Sequence, residues 1–519
     1  MKLNYKRTIL VGFAFFLISA FWQAYDATIP VILTNKFGMS QTWSGVIMAL
    51  DNILAVFLLP VFGTLSDKCS TKIGKRTPFI LFGTVVAAVS LVVLSFVDAR
   101  QLKLIQEVSV IDDPHSLEIL YDTQCNKDLL TPEGDLVLLS KEFTEEEFCA
   151  IRCKITDPET GKTITNPDYT NFVAPARQSY VRDLTNGNKT NLILFVGLLL
   201  VILLAMATFR SPAVALMPDV TMKPLRSKAN AIINLMGTAG GILVLVLGMV
   251  FSTSAVQNAM MRYTLYYGII AAIMLGALAI FLFTVREKKW AAQMAADSVT
   301  YGVEEEAAAD SVEKRSLSAG EKRSLLLILA SIALWYFGYN AVTSKYAVYA
   351  GNILDKDYNT TMLLAQAAAI AAYLPAGNIA SKFGRKKTIL AGVTMLAVSF
   401  ACAAFMRAGS PTWMMNLMFI LAGIAWATIN VNSFPMVVEM CSGADIGKYT
   451  GFYYTASMSA QIATPMLSGF LMDQMGMTAL FPYAAIFVAL AFVTMSLVRH
   501  GDAKKLEVKK GLEAFDTED

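Results

Sequence analysis

The stretch WQAYDATIP, residues 22–30, places a carboxylate inside an apolar run that extends from near Ile9 to Leu33. A second acid, Asp51, lies inside the next run, near 43–65. Charge is costly in an apolar medium, so ionisable groups in such runs face a cavity or a partner by default. Asp26 lies about eight residues from the end of its run and Asp51 about eight from the start of its own. At about 1.5 Å of rise per residue, both sit roughly 12 Å deep. Two carboxylates at one depth on neighbouring helices can take up and release a proton in turn, which is the chemistry of cation coupling. Asp26 and Asp51 are therefore the candidate coupling residues.

Their companions suggest a solute. Ser19, Trp22, Gln23, Asp26 and Pro30 fall on one side at helical spacing. An indole beside hydrogen-bonding groups suits a sugar, whose faces are apolar and whose rim is polar. Trp22, Gln23 and Asp26 are thus candidate substrate contacts, with packing of Trp22 and Asp26 between helices as the plain alternative. Arg210 lies deeper from the same side and either meets a carboxylate or substrate or snorkels. Lys345, near the end of its run, is expected to snorkel. Tyr336, Tyr339, Asn340 and Thr343 form a second polar face, beside Trp335, and Asn430, Asn432 and Gln461 are further candidates. Asn230, Asn234 and Thr238, with Gly237 and Gly241, read mainly as a close-packing seam. The two histidines, His115 and His500, form no Ser–His–acid or metal-binding constellation, so neither an enzyme, a metal nor a cofactor is expected. "STKIGKRT" lacks the leading Gly and the hydroxyl of a phosphate-binding loop, which argues against an ATP-driven pump.

The elements that must position these residues are membrane helices. The 519 residues are 55% hydrophobic and 16% charged, with mean hydropathy +0.52, against about 25% charged in soluble domains. Twelve apolar runs occur, near 9–34, 43–65, 78–97, 192–217, 229–252, 263–285, 324–344, 361–380, 388–406, 412–438, 449–471 and 479–498. The first is too long for a secretion signal and reads as a retained helix. Lys68, Lys72, Lys75 and Arg76 in the 2–3 loop, and Lys382, Arg385, Lys386 and Lys387 in the 8–9 loop, place both termini in the cytoplasm of a cell-membrane protein. Lys223, Arg226 and Lys228 in the 4–5 loop agree. The expected fold is all-α, with twelve transmembrane helices in two pseudo-symmetric six-helix halves, 1–285 and 324–500. A cytoplasmic linker, 286–323, joins them, and a tail, 501–519, follows. The net charge of +3 argues against a nucleic-acid partner. The bilayer is a partner, and a monomer is expected.

An internal repeat supports the halves. Tyr25-Asp26-Ala27 recurs as Tyr339-Asn340-Ala341, and Gly63 and Lys68 recur as Gly377 and Lys382, all at offset 314. Gly74-Lys75-Arg76 maps to Gly384-Arg385-Lys386 at 310, and Asp219 maps to Glu439 at 220. The fall from 310 to 220 locates about 90 extra residues between runs 3 and 4. This stretch, 98–191, carries 10 Lys and Arg against 17 Asp and Glu, and orientation places it outside as an extracellular insert. Its cysteines, Cys125, Cys149 and Cys153, allow one disulfide of unassigned pairing and one thiol. "EEEFCAIRCK" reads as a short helix. The insert is either a cap over the outer mouth or a solvated acidic loop.

The stretch GTLSDKCSTKIGKRTPFI, residues 63–80, resembles the helix 2–3 loop of the major facilitator superfamily. Gly63, Asp67, Lys68, Gly74, Lys75 and Arg76 fall on its pattern, and GNIASKFGRKK, 377–387, is a degenerate copy. The resemblance implies a cytoplasmic gate of ion pairs that break on opening. It would use these residues together with Asp219, Arg226, Lys382, Arg385 and Glu439. In finer detail, Gly63, Ser66-Asp67-Lys68-Cys69, Gly74, Arg76 and Pro78-Phe79-Ile80 look like the sucrose–proton symporters, within the glycoside–pentoside–hexuronide cation symporters. Pro212, Leu216, Asp219, Arg226, Ala229 and Asn230 within residues 211–243 are similar to the same branch. Leu203 and Val214 depart from it, where the branch has an aspartate and an arginine.

The resemblance implies a secondary transporter that moves a sugar or glycoside with a cation, a proton being expected, by alternating access. Acids occupy the polar sites of the first half only, which places coupling there and much of the sugar contact in the second. Two alternatives stand beside it. One is a drug or organic-solute antiporter, against which the absence of a Gly-Pro pair in GTAGGILVLVLG speaks. The other is a non-transporting membrane sensor that uses the acidic insert.

Overall fold

The computed structural model describes residues 3–156, 163–222, 225–300, 318–438, 440 and 446–500. Six long helices precede the linker: α1 (Tyr5–Asn35), α2 (Gln41–Lys68), α3 (Thr77–Leu104), α4 (Thr190–Val220), α5 (Arg226–Phe251) and α6 (Thr264–Thr284). Six follow it: α7 (Ala319–Asn352), α8 (Tyr358–Phe383), α9 (Arg385–Ala403), α10 (Thr412–Val438), α11 (Ile446–Met475) and α12 (Leu480–Ser496). Among the described residues, ten of these are long and apolar enough to cross a membrane, and the chain is a multi-pass membrane protein. The other two, α8 and α11, pack into the same bundle.

Local chemistry sets the helix ends. Asn4 and Ser40 accept from the backbone N–H groups of Arg7 and Trp43 and so cap α1 and α2. Ser318 and Glu321 form a reciprocal capping box at the start of α7. Prolines lie inside α1, α2, α4, α8, α10 and α11. Neighbouring helices make such interruptions tolerable in membrane bundles.

Buried side chains separate into three cores. One joins the helices before the linker, from Val11 to Val285. A second gathers those after it, from Leu325 to Val498, with Ala27, Val31 and Leu245 contributed across the boundary. The third belongs to the residues between α3 and α4, where Leu117, Leu120, Phe148, Tyr169 and Val173 are fully buried or nearly so. This insert holds short helices and two small antiparallel hairpins. In them β1 (Leu129–Leu130) pairs with β2 (Leu136–Val137), and β3 (Lys154–Thr156) with β4 (Thr163–Thr165). The helix expected at EEEFCAIRCK spans Glu145–Ala150, capped by Thr144 and Glu147. Cys125, Cys149 and Cys153 are free thiols. The insert thus has a hydrophobic core of its own, which a solvated loop would lack. The residues read as a linker begin as a helix, Glu287–Thr300; residues 301–317 and the tail 501–519 lie outside the described residues.

The end of the bundle that carries the insert is called the insert side below, and the opposite end the linker side. At the insert side of the first half lies an ion pair that no solvent reaches. Lys36 Nζ donates to Asp98 Oδ1 at 2.6 Å and Oδ2 at 2.8 Å, and to the Met261 carbonyl at 2.7 Å. Both side chains are 0% exposed, and the ammonium lies 4.5 Å from the Tyr263 ring centroid. Removing one partner of such a pair leaves a charge buried alone and costs about 3–5 kcal/mol. Lys36→Met is therefore expected to lower the thermal unfolding midpoint of the purified protein sharply. Lys36→Met combined with Asp98→Leu should recover most of the loss.

Candidate functional site

Helix α1 crosses the bundle between both halves, packing on α5 and α6 on one side and on α7 on the other. Its approach to α5 uses Gly237 of the expected seam, against Ser19, and also Gly240, against the Phe16 carbonyl. That contact turns a polar face of α1 towards a cavity between the halves. The cavity is lined from the first half by Trp22, Tyr25, Asp26, Asp51, Asn52 and Arg210. Asn340, Thr343, Ser344, Gln461 and Pro465 line it from the second.

The lining is polar and only partly satisfied within the protein. Asn52 Nδ2 donates to Asp51 Oδ1 at 2.8 Å. The Arg210 guanidinium lies 5.6 Å from the Trp22 ring centroid, a cation–π contact that holds the cation in the cavity wall. Asn340 Nδ2 donates to the Tyr336 carbonyl at 3.0 Å and Gln461 Nε2 to the Ser457 carbonyl at 3.3 Å, leaving the amide oxygens as acceptors. Trp22 Nε1 and Tyr25 Oη are buried with no hydrogen-bond partner. Buried donors of this kind are rarely left unmet, and a solute's hydroxyls or water would meet them.

Of the residues singled out from sequence, Trp22, Asp26, Asp51, Arg210, Asn340, Thr343 and Gln461 therefore come together. Gln23 does not line the cavity. It sits on the other side of α1, where Nε2 donates to Tyr358 Oη at 3.1 Å and Oε1 accepts from Gln366 at 2.6 Å. Positions one residue apart diverge by about 100° on a helix, so Trp22 and Asp26 share a face that Gln23 leaves. Tyr336 and Tyr339 also lie outside the lining and pack on Trp426, Tyr339 stacked at 3.5 Å between centroids. Asn432 is buried and donates to the Thr428 carbonyl of its own helix at 2.8 Å. Asn430 is half-buried on the same helix, its carbonyl accepting from Ser433. Tyr25 and Ser344 were not singled out. Tyr25 carried a signal, its recurrence beside the acid as Tyr339.

On the linker side, Arg76 is the hub of the expected gate motif. Its Nε donates to Asp219 Oδ2 at 2.8 Å, its Nη2 pairs with Asp67, and its Nη1 reaches Ser66 and the Gly63 carbonyl. Lys75 approaches Asp219 at 3.3 Å, while Lys68 is exposed. These pairs all lie within the first half, so among the described residues they do not bridge the gate. Glu439 lies outside the described residues, as do the side chains of Arg226 and Lys382, and Arg385 is half-buried at the start of α9. A residue that the sequence did not suggest completes the motif. Glu287, at the start of the linker helix, accepts from the backbone N–H groups of Lys75 (2.7 Å), Arg76 (2.9 Å) and Thr77 (2.8 Å) and from Thr77 Oγ1 (2.6 Å). It caps α3 from outside the motif, where negative charge is favoured by the helix dipole. Gly74, at φ +133°, leaves room for that carboxylate.

The halves meet on the insert side. Asp473, near the end of α11, accepts from the N–H groups of Gln41 and Thr42, both at 2.7 Å, and from Thr42 Oγ1 at 2.5 Å. The first turn of α2 is thus capped by the opposite half. Lys345 does not snorkel: it is 0% exposed and donates across the halves to the Gln41 carbonyl at 2.5 Å. Two glycines permit the approach. A Cβ on Gly45 would overlap the Pro465 carbonyl, and one on Gly469 would overlap that of Gln41. Further contacts on this side join Ser254 to Asp357 at 2.5 Å and Thr253 to Asn359 at 3.1 Å.

A polar, half-satisfied cavity between two helical halves defines the architecture of a membrane carrier. Over two stretches the chain resembles the major facilitator superfamily, a family of transporters rather than enzymes. A Major Facilitator Superfamily model matches residues 356–517, and an MFS/sugar transport protein model matches residues 10–100. The fold is similar to the inward open conformation of the xylose transporter XylE from E. coli, with TM-score 0.56 at 14% identity over 98% of each chain. Sucrose transport protein SUC4 of Arabidopsis thaliana is 34% identical over 74 residues, 14% of each chain. The MFS-type transporter ppzB of Metarhizium rileyi is 26% identical over 125 residues, 24% of this chain and 25% of that protein. The aligned stretches span a quarter or less of these relatives.

Proposed function

We propose that the chain is a cation-coupled symporter of a sugar or glycoside, with a proton as the coupling ion, working by alternating access. All twelve long helices would span the cell membrane, with the insert outside and both termini in the cytoplasm. The observation that carries this reading is the cavity itself. It joins Asp26 and Asp51 from the first half to neutral hydrogen-bonding groups, Asn340, Thr343 and Gln461, from the second. A carboxylate pair can exchange a proton with each turnover, while an indole and amides suit a polyhydroxylated solute. The similarity of residues 10–100 to a sugar-transport model supports the substrate class. On this reading the tight contact of α2 with α11 closes the insert side, and solute would enter from the cytoplasm. Rocking of the halves about the cavity would then expose it to the other side.

The test is uptake into proteoliposomes with a panel of mono- and disaccharides and glycosides, under an imposed proton gradient. Accumulation of at least one sugar, abolished by a protonophore, is expected. No sugar uptake alongside expulsion of lipophilic cations would replace this reading with an antiporter.

A further inference from the structure

The insert belongs by sequence to the first half, yet two of its segments are bound to the second. Asp355, in the loop between α7 and α8, accepts from Thr165 N at 3.0 Å and from Thr165 Oγ1, and Lys154 Nζ approaches it at 3.4 Å. Thr165 and Lys154 face each other at the open end of the β3–β4 hairpin, so that end of the hairpin is clipped to one carboxylate. Burial opposes ionisation of Asp355, but the Thr165 hydrogen bonds and the Lys154 ammonium outweigh it and hold its carboxyl below the usual range. At a second point, the turn of the other hairpin meets the α11–α12 loop. Met477 N donates to the Pro132 carbonyl at 2.7 Å. Gly134 (φ +104°) and Gly476 (φ +84°) lie backbone to backbone, so that a Cβ on either would overlap the other strand of chain.

Between these two points the surfaces do not close. A cleft separates the insert from the α2–α11 contact, with Gln41, Leu130, Pro132, Arg182, Asn352 and Asp473 among its lining. The insert therefore holds the second half at discrete polar points rather than through a continuous apolar face. Contacts of that kind come apart and re-form without exposing a core. The insert's own core keeps it rigid while they do. Any movement that parts α2 from α11 on the insert side carries the insert, fixed between α3 and α4, away from the two loops it grips.

We propose that the insert is a latch: by gripping Asp355 and the Gly476 turn it holds the insert side closed and sets how often that side opens. This rests on the alternating-access reading, so the test measures conformation and needs no solute. Nitroxide labels at the exposed positions Asn188 and Gly409, on opposite halves of the insert side, report the separation of the halves in a chain whose accessible native thiols are replaced by alanine. Combining Thr165→Val with Asp355→Asn is expected to raise the ratio of wide to narrow separations roughly tenfold, the effect of losing two or three hydrogen bonds of about 0.5–1.5 kcal/mol each. A ratio within twofold of the unaltered latch, in protein of unchanged thermal stability, overturns the proposal.

A second arm covers the case in which those variants fold poorly. Thr165→Cys with Asp355→Cys, oxidised to a disulfide, should abolish the wide population, and reduction should restore it. A wide population that persists in the bridged protein overturns the latch equally. Sugar uptake is assayed in parallel. Uptake with unmoved distances refutes the latch alone, and shifted distances without any uptake refute the transport reading alone.

Discussion

Asp26→Asn should abolish sugar accumulation driven by a proton gradient while leaving sugar exchange across the membrane largely intact. Asparagine keeps the size and hydrogen-bonding edges of the carboxylate, so the cavity wall retains its shape. What it loses is the ability to bind and release a proton in the transport cycle. The second half indicates that the polar group itself is tolerated in neutral form, because Asn340 takes the repeat-related position and lines the same cavity. A gradient can drive accumulation only if the solute moves with an ion whose binding depends on the same conformational change. Without the coupling acid, solute should equilibrate but not concentrate. In proteoliposomes the steady-state ratio of internal to external sugar should fall from well above one to about one, a loss of at least about tenfold if the gradient is worth about 1.4 kcal/mol or more. Counterflow exchange with preloaded sugar should remain within a few-fold. Asp51→Asn should show a smaller defect, since Asn52 already bonds one of its oxygens. Normal accumulation by Asp26→Asn would move the coupling site away from α1.

The residues that line the cavity were accessible from sequence because the membrane imposes a strong rule: a charge in an apolar run needs a reason. Asp26, Asp51 and Arg210 stand out by that rule, and the repeat brings Asn340 with them. The rule does not resolve which of two neighbouring polar residues faces the cavity. Gln23 and Asp26 differ by less than a turn, and the pairing of Gln23 with Tyr358 and Gln366 depends on how α1 lies against α8. The twelve-run pattern and the offset of 314 made the two halves legible, since both are periodic properties of the chain.

Contacts made between distant segments left no such trace. Glu287 looked like one charge among many at the head of a linker, and only the folded chain brings it to the first turn of α3. Lys345 looked like a cation free to reach the membrane surface. In the structure a backbone carbonyl of the opposite half provides a nearer partner, so the side chain stays inside. Asp473 lay just past an apolar run, where an acid is unremarkable. Its function as a cap for α2 depends on a sequence separation of more than 400 residues. The insert announced itself by its acidity and its absence from the second half, whereas its grip on Asp355 depends on a hairpin register that composition does not encode.

The contact that closes the insert side gives the other large expected effect. Gly45→Val should hold the two halves apart on the insert side and stop transport. Along α2 and α11, backbone meets backbone at two places, Gly45 on Pro465 and Gly469 on Gln41. Small residues at such crossings are what let membrane helices approach closely. A valine at Gly45 places Cβ against a carbonyl oxygen on a rigid helix, with no flexible side chain available to yield. Overpacking of this kind costs about 1–3 kcal/mol even where a core can adjust, and here the simplest adjustment is to part the helices. Parting them breaks the Asp473 cap and the Lys345 bond as well, because both act at the adjacent turn. The closed state is then disfavoured by several small terms at once. A shift of about 2.7 kcal/mol moves a two-state ratio by roughly a hundredfold. The fold itself should survive, since the cores of the two halves do not depend on this crossing. Gly45→Val is therefore expected to reach the membrane in normal amounts and to show widened separations between Asn188 and Gly409. Uptake should fall by at least about tenfold, while binding of sugar from the insert side is retained. Gly45→Ala should lie between. Wild-type uptake by the valine variant would mean that α2 and α11 never need to meet so closely, and that the insert side closes by some other contact.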